Sequence, residues 1–137
     1  MERYLFNSQM KKLIFTLLFT TLVFSSPTYA GWTKIVKSVG EITFYVDFDR
    51  IKKHDGYVYY WELGDYLKPN EYGDLSAKVY RQVDCKLFRF KVLSDSYYTE
   101  PMGRGTPSAS SNTPDKEWSY PPPNSSGYNV LKSVCTE

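Results

Sequence analysis

The residues through which this chain could do chemistry are few. His54 is the only histidine, Cys85 and Cys135 are the only cysteines, and Asp47, Asp49, Glu62 and Asp65 are carboxylates that could act in pairs. A general base needs a nucleophile or an orienting partner within hydrogen-bond reach. His54 instead precedes Asp55-Gly56, a hairpin-tip signal that offers little burial. Glycoside hydrolysis needs two carboxyls across a cleft, and calcium needs six or more oxygens. Neither spacing is present, so Asp65 and Asp74 are expected to serve turns and Asp84 to accept backbone hydrogen bonds beside Cys85. Catalytic residues, metal ligands and cofactors are all expected to be none. An enzyme is the weakest reading.

The aromatic residues carry more information. Aromatics make up 18% of the chain, and thirteen of them are Tyr. Tyr and Trp combine a large apolar area with a polar tip, which suits binding surfaces. For Trp61, Phe44, Phe88 and Phe90 the expected role is the core of a small sheet. Tyr97, Tyr98, Trp118 and Tyr120 frame a long loop and are the candidates for partner binding, since loops carry function more often than the elements they join.

The compartment follows from the first thirty residues. Lys11-Lys12 precede twelve uncharged residues, Leu13 to Phe24, then Ser25-Ser26-Pro27 and the small residue Ala30. This is the layout of a secretory signal peptide, with cleavage expected between Ala30 and Gly31. As a helix, twelve residues reach about 18 Å, short of the ~30 Å of a bilayer core. The expected organisation is therefore a cleaved signal at 1–30 and one domain at 31–137, with no membrane span in the mature chain. The destination is the periplasm or the cell surface of a Gram-negative bacterium. The formal charge of +2 resides in the leader; residues 31–137 balance at fourteen basic and fourteen acidic side chains. Nucleic-acid binders need a basic surplus, so that class is excluded. In an oxidising compartment a lone pair of cysteines reads as one disulfide, while one histidine and no C-x-x-C motif make a poor metal or redox site.

The elements that must position these residues are mostly strands. Short apolar alternations predict strands over 33–36, 42–47, 50–53, 57–63 and 78–85. Ile42, Phe44 and Val46 share one face. Tyr57, Tyr59, Trp61 and Leu63 share another, opposite Val58, Tyr60 and Glu62. A further strand starts near Phe88 and extends through 96–99, but its apolar phase differs from that of Val79, Val83 and Cys85. A bulge or turn is required near 84–87. Residues 100–124 carry six of the eight prolines; they predict a long mobile loop with one ordered piece around 118–120. Ser125 or Ser126 then caps a helix bearing Tyr128, Leu131, Val134 and Cys135 at helical spacing. The fold class is α+β, mainly β: an antiparallel sheet of five to six strands with one C-terminal helix packed on it and tied by the disulfide.

Taken in order, these features resemble the bacterial surface-adhesin protein E-like domain family. The resemblance spans Gly31 to Cys135. It rests on Trp32, Phe44-Tyr45-Val46-Asp47, Trp61-Glu62-Leu63, Asp65-Tyr66, Ser76-Ala77-Lys78, Asp84-Cys85, Arg89, Tyr98, Trp118 and Val134-Cys135. It implies a small exported protein whose C-terminal helix is held to an antiparallel sheet by a Cys85–Cys135 bridge. It transfers no catalytic residue. The expected function is a non-enzymatic binding module that contacts a protein or cell-envelope partner through the sheet edge and the loop aromatics. Unpaired edges would also offer a route to a homodimer. A different class is a periplasmic enzyme inhibitor of the lysozyme-inhibitor type, with the loop 100–124 entering a cleft.

Overall fold

The computed structural model describes residues 31–137. The signal-peptide expectation over 1–30, with Ala30 at its end, lies outside the described residues. Seven strands form one antiparallel sheet: β1 (Trp32–Lys37), β2 (Ile42–Asp47), β3 (Lys52–His54), β4 (Tyr57–Tyr66), β5 (Ser76–Asp84), β6 (Arg89–Tyr98) and β7 (Ala109–Ser111). Their order is β1-β2-β4-β5-β6-β7, with β3 paired to the first half of β4. One helix, α1 (Ser126–Cys135), follows. β3 answers to the strand expected at 50–53, and the count exceeds the expected five to six through β7, a three-residue strand too short for a periodic signal.

The hairpin tips match their sequence signals. Asp55 and Gly56 both have positive φ, 50° and 79°, which a two-residue turn of this hand requires. The phase change between β5 and β6 is resolved by a tight turn through Cys85–Phe88. Asp84 Oδ1 accepts the backbone N–H groups of Lys86 and Leu87 there, each at 3.2 Å. A second irregularity lies inside the β5–β6 ladder. Tyr80 pairs with Ser94 and Arg81 with Val92, so Leu93 is an extra residue. Asp47-Phe48-Asp49 breaks the β2 pattern as expected, and residues 48–50 form a 3-10 turn.

The core lies between α1 and one sheet face. Val46, Val58, Tyr60 and Val83 meet Val130, Leu131 and Val134, with Phe44, Phe88 and Phe90 partly buried against them. The Ser125 hydroxyl accepts the Tyr128 N–H at 3.1 Å and so caps the helix, as its position before the turn predicts. Cys85 and Cys135 form the disulfide, with Cα atoms 5.7 Å apart. The bridge joins the helix end to the β5–β6 turn. In the same turn Phe88 packs on Tyr128, with ring centres 4.9 Å apart.

Trp61 corrects the sequence reading of the core. The helix settles over Val58, Tyr60 and Glu62, so the Tyr57, Tyr59 and Trp61 side of β4 faces away from it. Tyr60 is fully buried while Trp61 remains half-buried. Alternation alone placed aromatics on both faces, and only the seat of α1 decides between them.

The loop before α1 also departs from expectation. It does not stand clear of the sheet. Ala109–Ser111 pair with Asp95–Tyr97. The Asp115 N–H bonds Val92 O at 2.8 Å, and its carboxylate accepts the Val92 N–H at 3.0 Å. Ser119 bridges Phe90 in both directions at 2.9 Å. The ordered piece expected around 118–120 is this bridge. The outer edge of β6 would otherwise leave its backbone donors and acceptors unpaired, and the Ser- and Asp-rich segment supplies partners along its length.

Candidate functional site

Strand pairing places a run of rings on the sheet face away from α1. Trp32 lies opposite Asp47, Tyr45 opposite Leu63, and Trp61 opposite Tyr80. Tyr59 lies opposite Gln82, whose side-chain amide donates to the Tyr59 hydroxyl at 3.1 Å. The rings contact one another. Trp61 stacks on Tyr80 with centres 4.9 Å apart, Tyr59 meets Tyr80 at 6.3 Å, and Tyr57 meets Trp118 at 5.6 Å. Aromatic pairs at these separations add about 0.5–1.5 kcal/mol beyond simple burial.

Cations are held over these rings. The Arg50 guanidinium lies 5.8 Å from the centres of both Trp32 and Trp61. It is fixed by an ion pair to Asp47, which is buried beneath it. Arg89 and Lys91 lie 4.5 and 5.0 Å from the Trp118 ring. Asp84 anchors Arg89 from behind at 3.0 Å. Burial alone would raise the Asp84 carboxyl pKa; the Leu87 N–H and the Arg89 guanidinium outweigh that and hold it below the usual carboxylate range. Lys52 stands opposite Tyr59 and Lys34 opposite Tyr45, both exposed. Burial first, and then the nearby charge of Arg50, lower the Lys78 pKa.

One end of this face is closed. The 3-10 turn Pro101–Gly103 lies over it, held by the Met102 N–H on Asp65 Oδ1 at 2.7 Å and the Gly103 N–H on Ser76 Oγ at 2.8 Å. A Cβ on Gly103 would sit 2.4 Å from Lys78 Cε, and its φ of +63° disfavours any other residue. Leu63 and Tyr98 are buried at this end. Among the described residues no α-helix covers the rest of the face.

The opposite face holds a buried polar group. The Tyr60 hydroxyl donates to Glu62 Oε2 at 3.0 Å, and Arg81 Nη2 donates to Glu62 Oε1 at 3.1 Å. Arg81 also lies 4.6 Å from the Phe90 ring. Burial first, then the neighbouring Glu62 charge, pushes the Tyr60 hydroxyl pKa well above its ordinary value. The group is structural in its surroundings, being enclosed by sheet and core.

The four loop aromatics do not form one site. Trp118 joins the open face, on Tyr57 and between Arg89 and Lys91. Tyr120, two residues on, is 62% exposed, and its proximity helps raise the Arg89 pKa. Tyr98 is buried, with Lys78 Nζ 5.0 Å over its ring. Tyr97 points to the helix side and borders a cleft of about 620 Å³ with Asn70, Tyr72, Asp74, Ser108 and Ala109. The members missed from sequence are Trp32, Arg50, Trp61 and Tyr80. For Trp61 and Tyr80 the signal was the alternation of β4 and β5, which could not be assigned a side without the helix; Trp32 on β1 and Arg50 in the 48–50 turn carried no such signal.

The other candidates are accounted for. His54 is exposed at the hairpin tip, 3.0 Å from Asp55. Asp74 is buried and accepts from Asn70 and Ser108 around its turn. Among the described residues no three His, Cys, Asp or Glu side chains gather as a metal site. None of their helices is long and apolar enough to cross a membrane.

Known proteins agree with this architecture. Crystal form II of Haemophilus influenzae protein E has a TM-score of 0.60 at 19% identity, over 80% of this chain and 90% of that one. The selenomethionine form of the same protein gives 0.60 and 19%, covering 80% and 89%. Protein E from non-typeable Haemophilus influenzae gives 0.55 and 18%, covering 81% and 79%. At such identity the likeness speaks to fold. No curated protein sequence matches this chain significantly. The profile of the family described as surface-adhesin protein E matches residues 32–136, nearly the whole of the sheet and helix described above, and this chain belongs to that family.

Proposed function

We propose that this protein is an exported, non-enzymatic binding module that engages a protein or cell-envelope partner at the bacterial surface. The observation that carries the reading is the sheet face that α1 leaves open. It presents stacked rings with cations fixed above them, and such aromatic and Arg side chains are the usual anchors of binding surfaces. Family membership supports the adhesin character. In this reading residues 1–30 direct export, and the mature chain starts at Gly31. Trp118 and Tyr120 extend the contact surface at the β6 side in this reading, while Tyr98 is buried at the closed end of the same face and Tyr97 lies on the other face.

The test is adhesion to immobilised extracellular-matrix glycoproteins and to envelope fragments, using protein purified from its exporting host. Intact mass establishes the start at Gly31. The Trp61→Ala/Tyr80→Ala variant is expected to bind about tenfold or more weakly, as truncation of paired anchors does. Equal binding by variant and parent would refute the assignment of this face.

A further inference from the structure

The charge on the open face has a definite sign. Residues 31–137 are neutral as a whole, with fourteen basic and fourteen acidic side chains. Strand register nevertheless gathers Lys34, Arg50, Lys52, Arg89 and Lys91 on the open part of this face, with Lys78 against the 101–103 turn at its closed end. The carboxylates that share it are already engaged. Asp47 holds Arg50, Asp65 accepts the Met102 N–H, and Asp84 holds Arg89 and the β5–β6 turn. Among the described residues none of the four lysines forms an ion pair with a carboxylate. The cations run from β1 to β6 across four strand spacings, about 19 Å at roughly 4.8 Å each.

We infer that this face binds a linear sulfated glycan chain, with the lysines and arginines pairing to its sulfates and the rings supporting them. The inference rests on reading the open face as the binding surface and names its ligand class. Charge complementarity selects a polyanion, and the extent of the cation array selects a chain over a single small anion. The state of the rings separates a glycan from a single-stranded nucleic acid. A nucleic acid would need ring faces free for base stacking. Here Trp61 is stacked on Tyr80 and flanked by Arg50, while Trp118 is packed by Tyr57, Arg89 and Lys91. What the face offers is charge held in fixed positions above apolar supports. Arg50 and Arg89 are each anchored on two sides, by a carboxylate and by a ring, which lowers the ordering cost of pairing their planar guanidinium groups with a sulfate.

The test is binding of the purified exported protein to immobilised heparin as the probe, at 0.05 M and 0.3 M salt. Binding is expected at low salt and should weaken as the exposed charges are screened. The Lys34→Glu/Lys52→Glu variant should bind about tenfold or more weakly, since two attractive surface contacts become repulsive. Lys91→Gln, made separately, should weaken binding by a few-fold. Lys68→Glu/Lys132→Glu, placed in the β4–β5 connection and on α1, should leave it unchanged. No retention on heparin at 0.05 M salt overturns the inference, and so does equal loss in the Lys68/Lys132 control. Tighter binding of single-stranded DNA than of heparin at equal salt overturns it in favour of a nucleic acid. Undiminished binding to matrix protein stripped of its glycans, with no heparin binding, also overturns it but leaves the binding-module reading standing. Failure to bind either would remove both.

Discussion

Replacing both cysteines, as Cys85→Ser/Cys135→Ser, isolates the contribution of the one covalent link between helix and sheet. The bridge spans a sequence separation of 50 residues. In the chain-entropy treatment, closing a loop of that size removes roughly 14 cal/mol/K from the unfolded chain, or about 4 kcal/mol at 25 °C. Domains of this class have a total stability of about 5–15 kcal/mol, so the loss is a large fraction. The native fold need not change. Val130, Leu131 and Val134 are 1%, 2% and 0% exposed against the sheet and keep their seat without the bridge. The variant should therefore fold, with α1 in place, and unfold at lower denaturant. With a urea slope of about 2 kcal/mol/M, the midpoint should fall by about 2 M. The assay is urea titration followed in parallel by tryptophan fluorescence and far-ultraviolet circular dichroism, on the oxidised parent and the variant. The two probes should coincide in each protein. A midpoint shift below about 0.5 M would refute the loop-entropy reasoning. Early loss of the helical signal would refute the claim that packing alone seats α1.

Three further perturbations address other parts of the fold. Glu62→Leu leaves the partly buried Arg81 guanidinium without its carboxylate and should cost at most about 3–5 kcal/mol, while the double variant Glu62→Leu/Arg81→Met should recover much of it; urea midpoints of the two variants decide this. Tyr60 keeps its proton in the folded protein at pH values where the unfolded chain has lost it, because its folded pKa is raised. Its contribution is thus fully present below about pH 10 and is lost above it, at up to about 1.4 kcal/mol per pH unit; stability measured from pH 8 to 11 should show this fall, and Tyr60→Phe should make it shallower. Ser125→Ala removes the helix cap and should cost about 1 kcal/mol in thermal or urea unfolding, with no change in the sheet.

Much of the fold was legible because its signals are local. The alternation of 42–47 and 57–63, the Asp55-Gly56 tip and the conflict of phase beside Cys85 each follow from period-two geometry or positive φ. The Ser125 cap and the spacing of Leu131 and Val134 likewise mark a helix without reference to anything distant. The candidate site was less legible. Trp118 was identified, but Tyr98 sits in the interior and Tyr97 on the other side, since neighbours along a strand point to opposite faces. The segment 100–124 reads as loop because Pro, Gly and Ser dominate it, and its pairing with β6 arises from an edge that only the assembled sheet creates.

The sequence by itself determined the strands up to β6, the turns that join them, the helix and the fact that two cysteines have only each other as partners. Tertiary structure alone decided which side of those strands is interior. Both faces of β4 carry aromatics, so its own pattern is nearly symmetric. The choice is made where Val130, Leu131 and Val134 find the most apolar area to bury, over Val46, Val58, Tyr60 and Val83. That one packing event sends Trp61, Tyr80 and Arg50 to the open side. It also turns a neutral composition into a surface of one sign, because charge segregation depends on which faces are paired and not on how many charges the chain contains.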